Sequence, residues 1–252
     1  MRIAQITDSH IVAEGTLWKD TLDTSATLAR AVDALNRIEP DLVVHTGDLV
    51  DDGLPEQYAH AVDLLTPLKP PLRLLPGNHD AREPMRAAFP DQAWDGDFLQ
   101  FREERDGLRI LGLDTLQPGE TGGHYCDARR TWLAEHLAPA QPTLIFLHHP
   151  PAPMGLPFMD QWPFEETAAL AALLAEQSDV LRLACGHVHT TAERHWAGTL
   201  ISATPALSIQ IPALQPYAVA PPIWRAGGQA IRLYDWSTDD GLRVTLIPLD
   251  EV

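Results

Sequence analysis

Arg2-Ile3-Ala4-Gln5-Ile6, followed by Thr7-Asp8-Ser9-His10, is a short apolar run that stops abruptly at a carboxylate, a hydroxyl and an imidazole. A run of this length with polar bounds predicts a buried strand. Layered α/β folds place their ligand sites just past such strands, where the strand fixes the backbone and the loop frees the side chains. The pattern recurs along the chain. Leu42 to Thr46 runs into Gly47-Asp48, Leu72 to Leu75 into Gly77-Asn78-His79-Asp80, Thr143 to Leu147 into His148-His149, and Leu181 to Cys185 into Gly186-His187-Val188-His189. Five predicted strand ends therefore carry metal-ligating side chains.

Between these strands the apolar spacing becomes helical. Leu28, Ala31, Val32, Leu35 and Ile38 recur on one face after the start signal Thr24-Ser25, and Pro40 closes the segment. A second helix is expected from Pro55 to Leu68, and a third from Asp127, a favourable N-cap, through Trp132, Leu133 and Leu137. Arg109 to Leu113 reads as a further strand. After Gly186 the chain turns to β character, with strands expected at Thr199 to Ala203, Ala230 to Asp235 and Leu242 to Leu249, the last two joined by a turn at Ser237 to Gly241. Proline-rich stretches from Pro150 to Pro163 and Pro205 to Pro222 have neither period and are expected to be long ordered loops, with residues 205–228 a loop or flap near the site. With no internal repeat or linker, residues 1–252 are expected to form one domain.

Composition narrows the function. With 18 Lys and Arg against 35 Asp and Glu, the formal charge is −17, which disfavours binding to a nucleic-acid polymer and means that phosphate chemistry would need locally bound cations. Cys126 and Cys185 are too few for a disulfide framework and are expected to be free thiols. Asp8 interrupts the first apolar run before a signal peptide could form, and no stretch reaches the ~20 apolar residues of a membrane span, so a cytoplasmic location without membrane attachment is expected. A homo-oligomer is compatible with this sequence, as is a monomer.

Each polar block alone reads as ordinary turn chemistry: D-x-H as a cap or turn, G-D as a tight turn, H-x-H as two residues on one face of a strand. Their joint occurrence at successive strand ends is what points to a metal centre. His148 and His149 are adjacent and cannot both face one site from an extended strand, so one of them is expected to be structural or to act through a ligand. His45, on the apolar strand before Gly47, reads equally as a partner of a ligand or as a core histidine.

The ordered series D-x-H, G-D, G-N-H, H and G-H-x-H resembles the calcineurin-like metallophosphoesterases. Leu17 to Thr24, Gly47 to Gly53 and His148-His149-Pro150-Pro151 are most similar to the bacterial branch containing glycerophosphodiesterases and class III cyclic-nucleotide phosphodiesterases. Ser/Thr protein phosphatases of that superfamily carry an arginine after the G-D block and a glutamate after G-N-H. This chain has Asp51-Asp52 and Asp80 there, which disfavours a protein phosphatase. The resemblance implies an α/β fold, a four-layer α-β-β-α sandwich, with a dinuclear metal site at the C-terminal ends of the strands. It further implies that Asp8, His10 and His189 hold one metal, that Asn78, His148 and His187 hold a second, that Asp48 bridges them, and that Asn78 and His79 meet the substrate.

Carboxylate, imidazole and amide oxygen suit two divalent or mixed-valence ions of Mn, Fe or Zn. Metal binding can lower a water pKa from 15.7 to about 7, which makes a metal-bridging hydroxide the expected nucleophile on phosphorus. Two divalent ions less the charges of Asp8, Asp48 and that hydroxide leave one positive charge, matching a phosphodiester slightly better than a monoester. His79 is the expected proton donor to the leaving oxygen, oriented by Asp80; the plainer role for His79 is to shape its loop. Trp18, Phe158 and Trp162 would either stack on a base or, the favoured reading, plug the space under long loops, and Arg225 would contact phosphate or be solvated. The expected activity is hydrolysis of small phosphodiesters, either a cyclic nucleotide such as 3',5'-cAMP or a glycerophosphodiester. The alternatives are a phosphomonoesterase or nucleotide pyrophosphatase on the same site and, in another class, a non-catalytic interaction module that retains the fold.

Overall fold

The computed structural model describes residues 1–212 and 224–252. In chain order the elements are β1 (Arg2–Ile6), α1 (Thr24–Ile38), β2 (Leu42–Thr46), α2 (Pro55–Leu65), β3 (Leu72–Leu75), α3 (Arg82–Ala88), β4 (Trp94–Asp95), β5 (Phe98–Leu99), β6 (Phe101–Arg105) and β7 (Leu108–Leu113). They continue with α4 (Asp127–Leu137), β8 (Thr143–Leu147), α5 (Thr167–Ala175), β9 (Val180–Cys185), β10 (Ala192–Trp196), β11 (Thr199–Ala203), β12 (Ala230–Ser237) and β13 (Gly241–Pro248).

One sheet has the order β13-β12-β1-β2-β3 and the other β10-β11-β9-β8-β7-β6. Strands β1, β2 and β3 run parallel, as do β7, β8, β9 and β11, so their C-terminal ends gather at one edge of the molecule. Side-chain alternation divides the core into layers. Ala4, Ile6, Val43 and Leu74 pack with Leu28, Ala31, Val32 and Leu35 of α1. On the second sheet, Leu111, Leu113, Ile145, Leu147 and Leu183 pack with Trp132 and Leu133 of α4 and Leu170 and Leu174 of α5. The alternate residues Ile3, Leu42, Val44, Ile110, Leu144, Phe146 and Ala184 meet between the sheets. This is the four-layer α-β-β-α sandwich.

The inter-sheet layer turns polar beneath the site. Gln5 Nε2 donates to Thr46 Oγ1 (2.9 Å) and to the Cys185 carbonyl (3.1 Å), while its Oε1 accepts from Thr204 Oγ1 (2.8 Å) and the Tyr234 hydroxyl (2.7 Å). With every polar atom of Gln5 paired, the two sheets are locked in register just below their C-terminal ends.

Several boundaries differ from the sequence reading. Helix α1 starts at Thr24, but its cap is the Asp23 side chain, which accepts from the Ala26 N–H at 2.8 Å. Helix α2 stops at Leu65 instead of Leu68: Thr66 keeps helical backbone and donates to the Val62 carbonyl, but Pro67 has no N–H to carry the ladder further. Asp127 lies inside the first turn of α4, and Cys126 occupies the cap position without a side-chain capping bond, its Sγ accepting from Arg129 Nε at 3.3 Å. Elements α3, α5, β4, β5, β6 and β10 were absent from the sequence reading; β6 and β10 are edge strands with largely exposed, charged faces. Of the expected flap at 205–228, residues 213–223 lie outside the described residues. Residues 205–212 are tied down, with Leu207 N donating to the Thr7 carbonyl, Ser208 N to that of Asp8 and Ile211 N to that of His189. No helix among the described residues is long and apolar enough to cross a membrane.

Candidate metal centre

Loops after β1 and β2 leave their strands side by side: Asp8 N donates to the Gly47 carbonyl, His10 N to that of Asp48 and Ile11 N to that of Leu49, each at 3.0 Å. Asp8 and Asp48 are thereby held at the same depth. The loops after β3, β8 and β9 close over them with very small tolerances. A Cβ on Gly77 would stand 2.2 Å from Asp48 Oδ1, and one on Gly186 would stand 2.1 Å from Thr7 Oγ1 and 2.7 Å from Asp8 Oδ2. Glycine is required at both places by close approach.

The candidate donors converge. Asp8, His10, Asp48 and His189 form one group of potential metal-ligating atoms, all buried, and His148, His149 and His187 form another. His10 Nε2 lies 3.2 Å from His189 Nε2 and 3.6 Å from Asp48 Oδ2, and His189 Nε2 lies 3.3 Å from Asp8 Oδ1. Across Asp48, His148 Nε2 is 3.3 Å from the same Oδ2 and 3.2 Å from Asn78 Oδ1, which is 3.0 Å from His187 Nδ1. All seven expected ligands are brought together, with Asp48 between the two groups.

The outward nitrogens reveal what the inward ones are for. His10 Nδ1 faces Asp51 Oδ1 (2.9 Å), His189 Nδ1 the Ile209 carbonyl (3.0 Å) and His148 Nδ1 the Thr46 carbonyl (2.7 Å). Each of these acceptors holds the ring proton on Nδ1, so the neutral ring directs its Nε2 lone pair inward. Lone pairs of His10 and His189 only 3.2 Å apart, beside two carboxylates, repel one another unless a proton or cation lies between them. The donor set therefore fits two cations, and its nitrogen and oxygen atoms suit borderline-to-hard divalent metals.

Without cations, protons take up part of that field. Burial alone would lower the His148 pKa, yet the carboxylates of Asp48 and Asp8 outweigh it and hold His148 up to about 9. Burial would raise Asp8 and Asp48, but the surrounding imidazoles hold both well below the usual carboxylate range. His187, buried and beside His148, is pushed down to about 3.

His79 stands at the edge of this cluster, two-fifths exposed, its ring edge-on to His10 with centroids 4.6 Å apart. The expectation that Asp80 orients it is corrected by the contacts. His79 Nδ1 donates to the Asp51 carbonyl at 2.7 Å and lies 3.6 Å from the Asp51 carboxylate. Asp80 is buried and accepts from Gly77 N (2.9 Å), Leu49 N (3.2 Å) and the Tyr58 hydroxyl (3.0 Å), so it fastens the G-D loop to the G-N-H loop. Burial, reinforced by the Asp48 charge, pushes Asp80 up to about 6.

Asp51 is the residue the sequence reading passed over. Its Oδ1 accepts from both His10 Nδ1 and Trp18 Nε1 (2.8 Å), and its carbonyl takes the proton of His79. Its place three residues after Asp48 was the available signal. His149 turns away, with Nδ1 2.8 Å from Thr115 Oγ1 and Nε2 unpartnered. His45 Nε2 lies 2.7 Å from Ser9 Oγ, bracing the Asp8-Ser9-His10 turn, and burial pushes its pKa down to about 4. Trp18 is a buried plug packed with Leu156, Met159, Ile209 and Ile211, and Phe158 and Trp162 pack against the same cluster. Lys19 Nζ stands 4.5 Å from the ring centroids of both Trp18 and Trp224. Arg225 is exposed and pairs through its backbone with Gln210.

Comparison with known proteins agrees with this geometry. The family profile for calcineurin-like phosphoesterases matches residues 1–191. A probable glycerophosphodiester phosphodiesterase, GpdQ, of Arcobacter nitrofigilis is 31% identical over 96% of this chain and 91% of its own length. The 3',5'-cyclic adenosine monophosphate phosphodiesterase CpdA of Escherichia coli K12 is 33% identical over 83% of this chain and 77% of its own. Among solved structures, a dimetal phosphatase from Danio rerio shares the fold with a TM-score of 0.74 at 15% identity, covering 99% of each chain. By the profile match and by identity sustained over almost its whole length, this chain belongs to the calcineurin-like phosphoesterase family.

Proposed function

We propose that this protein is a metal-dependent phosphodiesterase that hydrolyses small phosphodiesters, with cyclic nucleotides such as 3',5'-cAMP and glycerophosphodiesters as the two substrate classes. The observation that carries the reading is the convergence of unshared donor atoms around Asp48, with a half-buried histidine at the rim. Asp8, His10 and His189 would hold one ion, Asn78, His148 and His187 a second, and Asp48 both, with Mn, Fe or Zn as the candidates. When bound, two such ions supply positive charge for the phosphoryl oxygens and lower the pKa of a water toward about 7.

The protein's own groups do the rest. His79, with Nδ1 fixed on the Asp51 carbonyl, turns Nε2 outward to donate a proton to the leaving oxygen. Burial would lower its pKa, but the charges of Asp48 and Asp51 together with the Asp51 carbonyl raise it, which favours the acid form. Asp51 positions both His79 and His10. Asp80 acts on the site through the loops it joins, and Asn78 and His79 face the substrate. A reading of residues 1–252 as one catalytic domain is supported by the inter-sheet core, which draws on strands from β1 to β13. The two free cysteines support a cytoplasmic location.

Metal analysis combined with turnover of bis-p-nitrophenyl phosphate against p-nitrophenyl phosphate tests the proposal. Two ions per chain and preference for the diester are expected. Preference for the monoester would favour the phosphomonoesterase alternative, and no turnover in a metal-loaded sample would favour a non-catalytic module.

A further inference from the structure

A cavity of about 140 Å³ opens beside the His148–His187 side of the site, enclosed by the long loop that follows β8. Its walls are Pro151, Met154, Met159, Trp162 and Phe164, and His187 forms part of the inner wall. The loop is fixed in shape: the Asp160 carboxylate accepts from Met154 N (2.7 Å) and Leu156 N (2.8 Å), and the Phe158 and Trp162 rings stack edge to face at 5.0 Å. Such a wall is ready for a ligand without prior ordering.

His187 joins the cavity to the chemistry. Its Nδ1 faces Asn78 Oδ1 inside the donor set, while its Nε2 is buried and unpartnered. A phosphoryl group held at the donor set would therefore have one ester oxygen beside the mouth of an apolar recess. The dimensions are selective. An engineered cavity of about 150 Å³ lined by apolar side chains accepts one benzene, so this recess is of the size for a single aromatic ring. A glycerol arm placed there would turn its hydroxyls mostly toward proline, methionine and aromatic carbon, with His187, Thr167 and the already hydrogen-bonded Asp160 carboxylate as the polar side chains of the lining.

We propose that this cavity takes up one aromatic ring carried by an ester arm of the substrate, an aryl group or one ring of a nucleobase, and so selects such an arm over a glycerol arm. The proposal rests on the phosphodiesterase reading and settles between its two substrate classes in favour of the nucleotide. Selection comes from the stretch from Pro151 to Phe164 in the loop after β8, which contributes Met154 and Trp162 to the cavity wall and no expected metal ligand.

The test compares kcat/KM for 3',5'-cAMP, bis-p-nitrophenyl phosphate and glycerophosphocholine in the metal-loaded wild type, Met154→Gln and Trp162→Ala. Met154→Gln keeps the side-chain shape while making the wall polar, so it reports even if Trp162→Ala disturbs the loop; metal content equal to wild type certifies either variant. The ratio of aromatic to glycerol kcat/KM is expected to fall at least fivefold in both, through KM. An unchanged ratio in Met154→Gln overturns the cavity proposal and leaves the phosphodiesterase intact. Failure of the wild type to hydrolyse any of the three diesters would instead sink the phosphodiesterase reading.

Discussion

Left-handed backbone occurs at both ends of the sheets, borne by different residues. At the C-terminal ends, Asp8, His10, Asp48, His187 and His189 all have φ between 47° and 69°, and all five are buried donors of the candidate site. At the opposite end, the left-handed residues are Glu39, between α1 and β2, Asp106, in the β6–β7 turn, and Ala197, in the β10–β11 turn. Glu39 and Asp106 are exposed, and Gly107 beside Asp106 and Gly198 beside Ala197 share the turning. A non-glycine residue in this region is disfavoured by roughly 1–2 kcal/mol. At the far end the side chain matters little and glycine would serve. At the site end glycine would remove the donor, so the strain is retained and held by surrounding hydrogen bonds: His187 N to both oxygens of Asp8, and Thr7 Oγ1 to Asp8 Oδ2 at 2.6 Å.

The sharpest way to break this contrast is Asp48→Ala. Because one carboxylate oxygen of Asp48 faces both His10 and His148, metal analysis should find both ions lost. Hydrolysis should fall by more than the ~10- to 100-fold that removal of an outer partner costs; retention of both ions would disprove the bridging position.

Next in size is His79→Ala, which should slow hydrolysis of alkyl diesters by about 10²- to 10⁴-fold and affect p-nitrophenyl diesters far less, since that leaving group needs no proton. The pH dependence has a definite sign. His79 is raised above its ordinary value, so its protonated form is favoured and is lost as pH rises through that raised value, giving an alkaline limb in kcat that His79→Ala should abolish. A limb that survives the substitution assigns the acid elsewhere.

Asp51→Asn keeps the backbone carbonyl that holds His79 and changes the carboxylate that holds His10 and Trp18. Calorimetric titration should find metal affinity weakened by about 10- to 100-fold, with the alkaline limb retained but moved to lower pH as the Asp51 charge is lost. Loss of the limb together with unaltered affinity would mean that Asp51 acts chiefly on His79.

The smallest effect belongs to the far end. Glu39→Gly relieves left-handed strain at the C-terminus of α1 and should raise stability in thermal denaturation by less than about 1 kcal/mol, since the roughly 0.5–1 kcal/mol entropic cost of glycine offsets part of the gain. Activity should be untouched; an altered rate would mean that the two ends are coupled.

How far the sequence could be read follows from the range of the forces involved. The strands leading to the site were legible because both faces of β1, β2 and β8 are buried, so each appears as a nearly continuous apolar run, broken inside β1 by Gln5 and inside β2 by His45. Helix α1 was legible from its apolar face, whereas α3, with Met85 as its one buried residue, carries almost no periodic signal. The seven donors stood out because each sits at a strand end. Asp51 and Thr115 did not, since their importance arises from contacts made across the fold. Asp80 was misassigned for the opposite reason: adjacency to His79 suggested contact, yet successive side chains diverge and Asp80 turns inward to Tyr58.

Residue order alone determined the layered α/β class, the strands and helix leading to the site and which side chains would be offered at the strand ends, because apolar periodicity and turn chemistry act over a few neighbours. Tertiary structure decided which nitrogen of each imidazole faces inward, which acid supports His79, and that an apolar cavity of single-ring size borders His187. Those outcomes depend on atoms from separate strands meeting within hydrogen-bond distance, and a linear pattern contains no information about which of two outward-facing atoms will find its partner first.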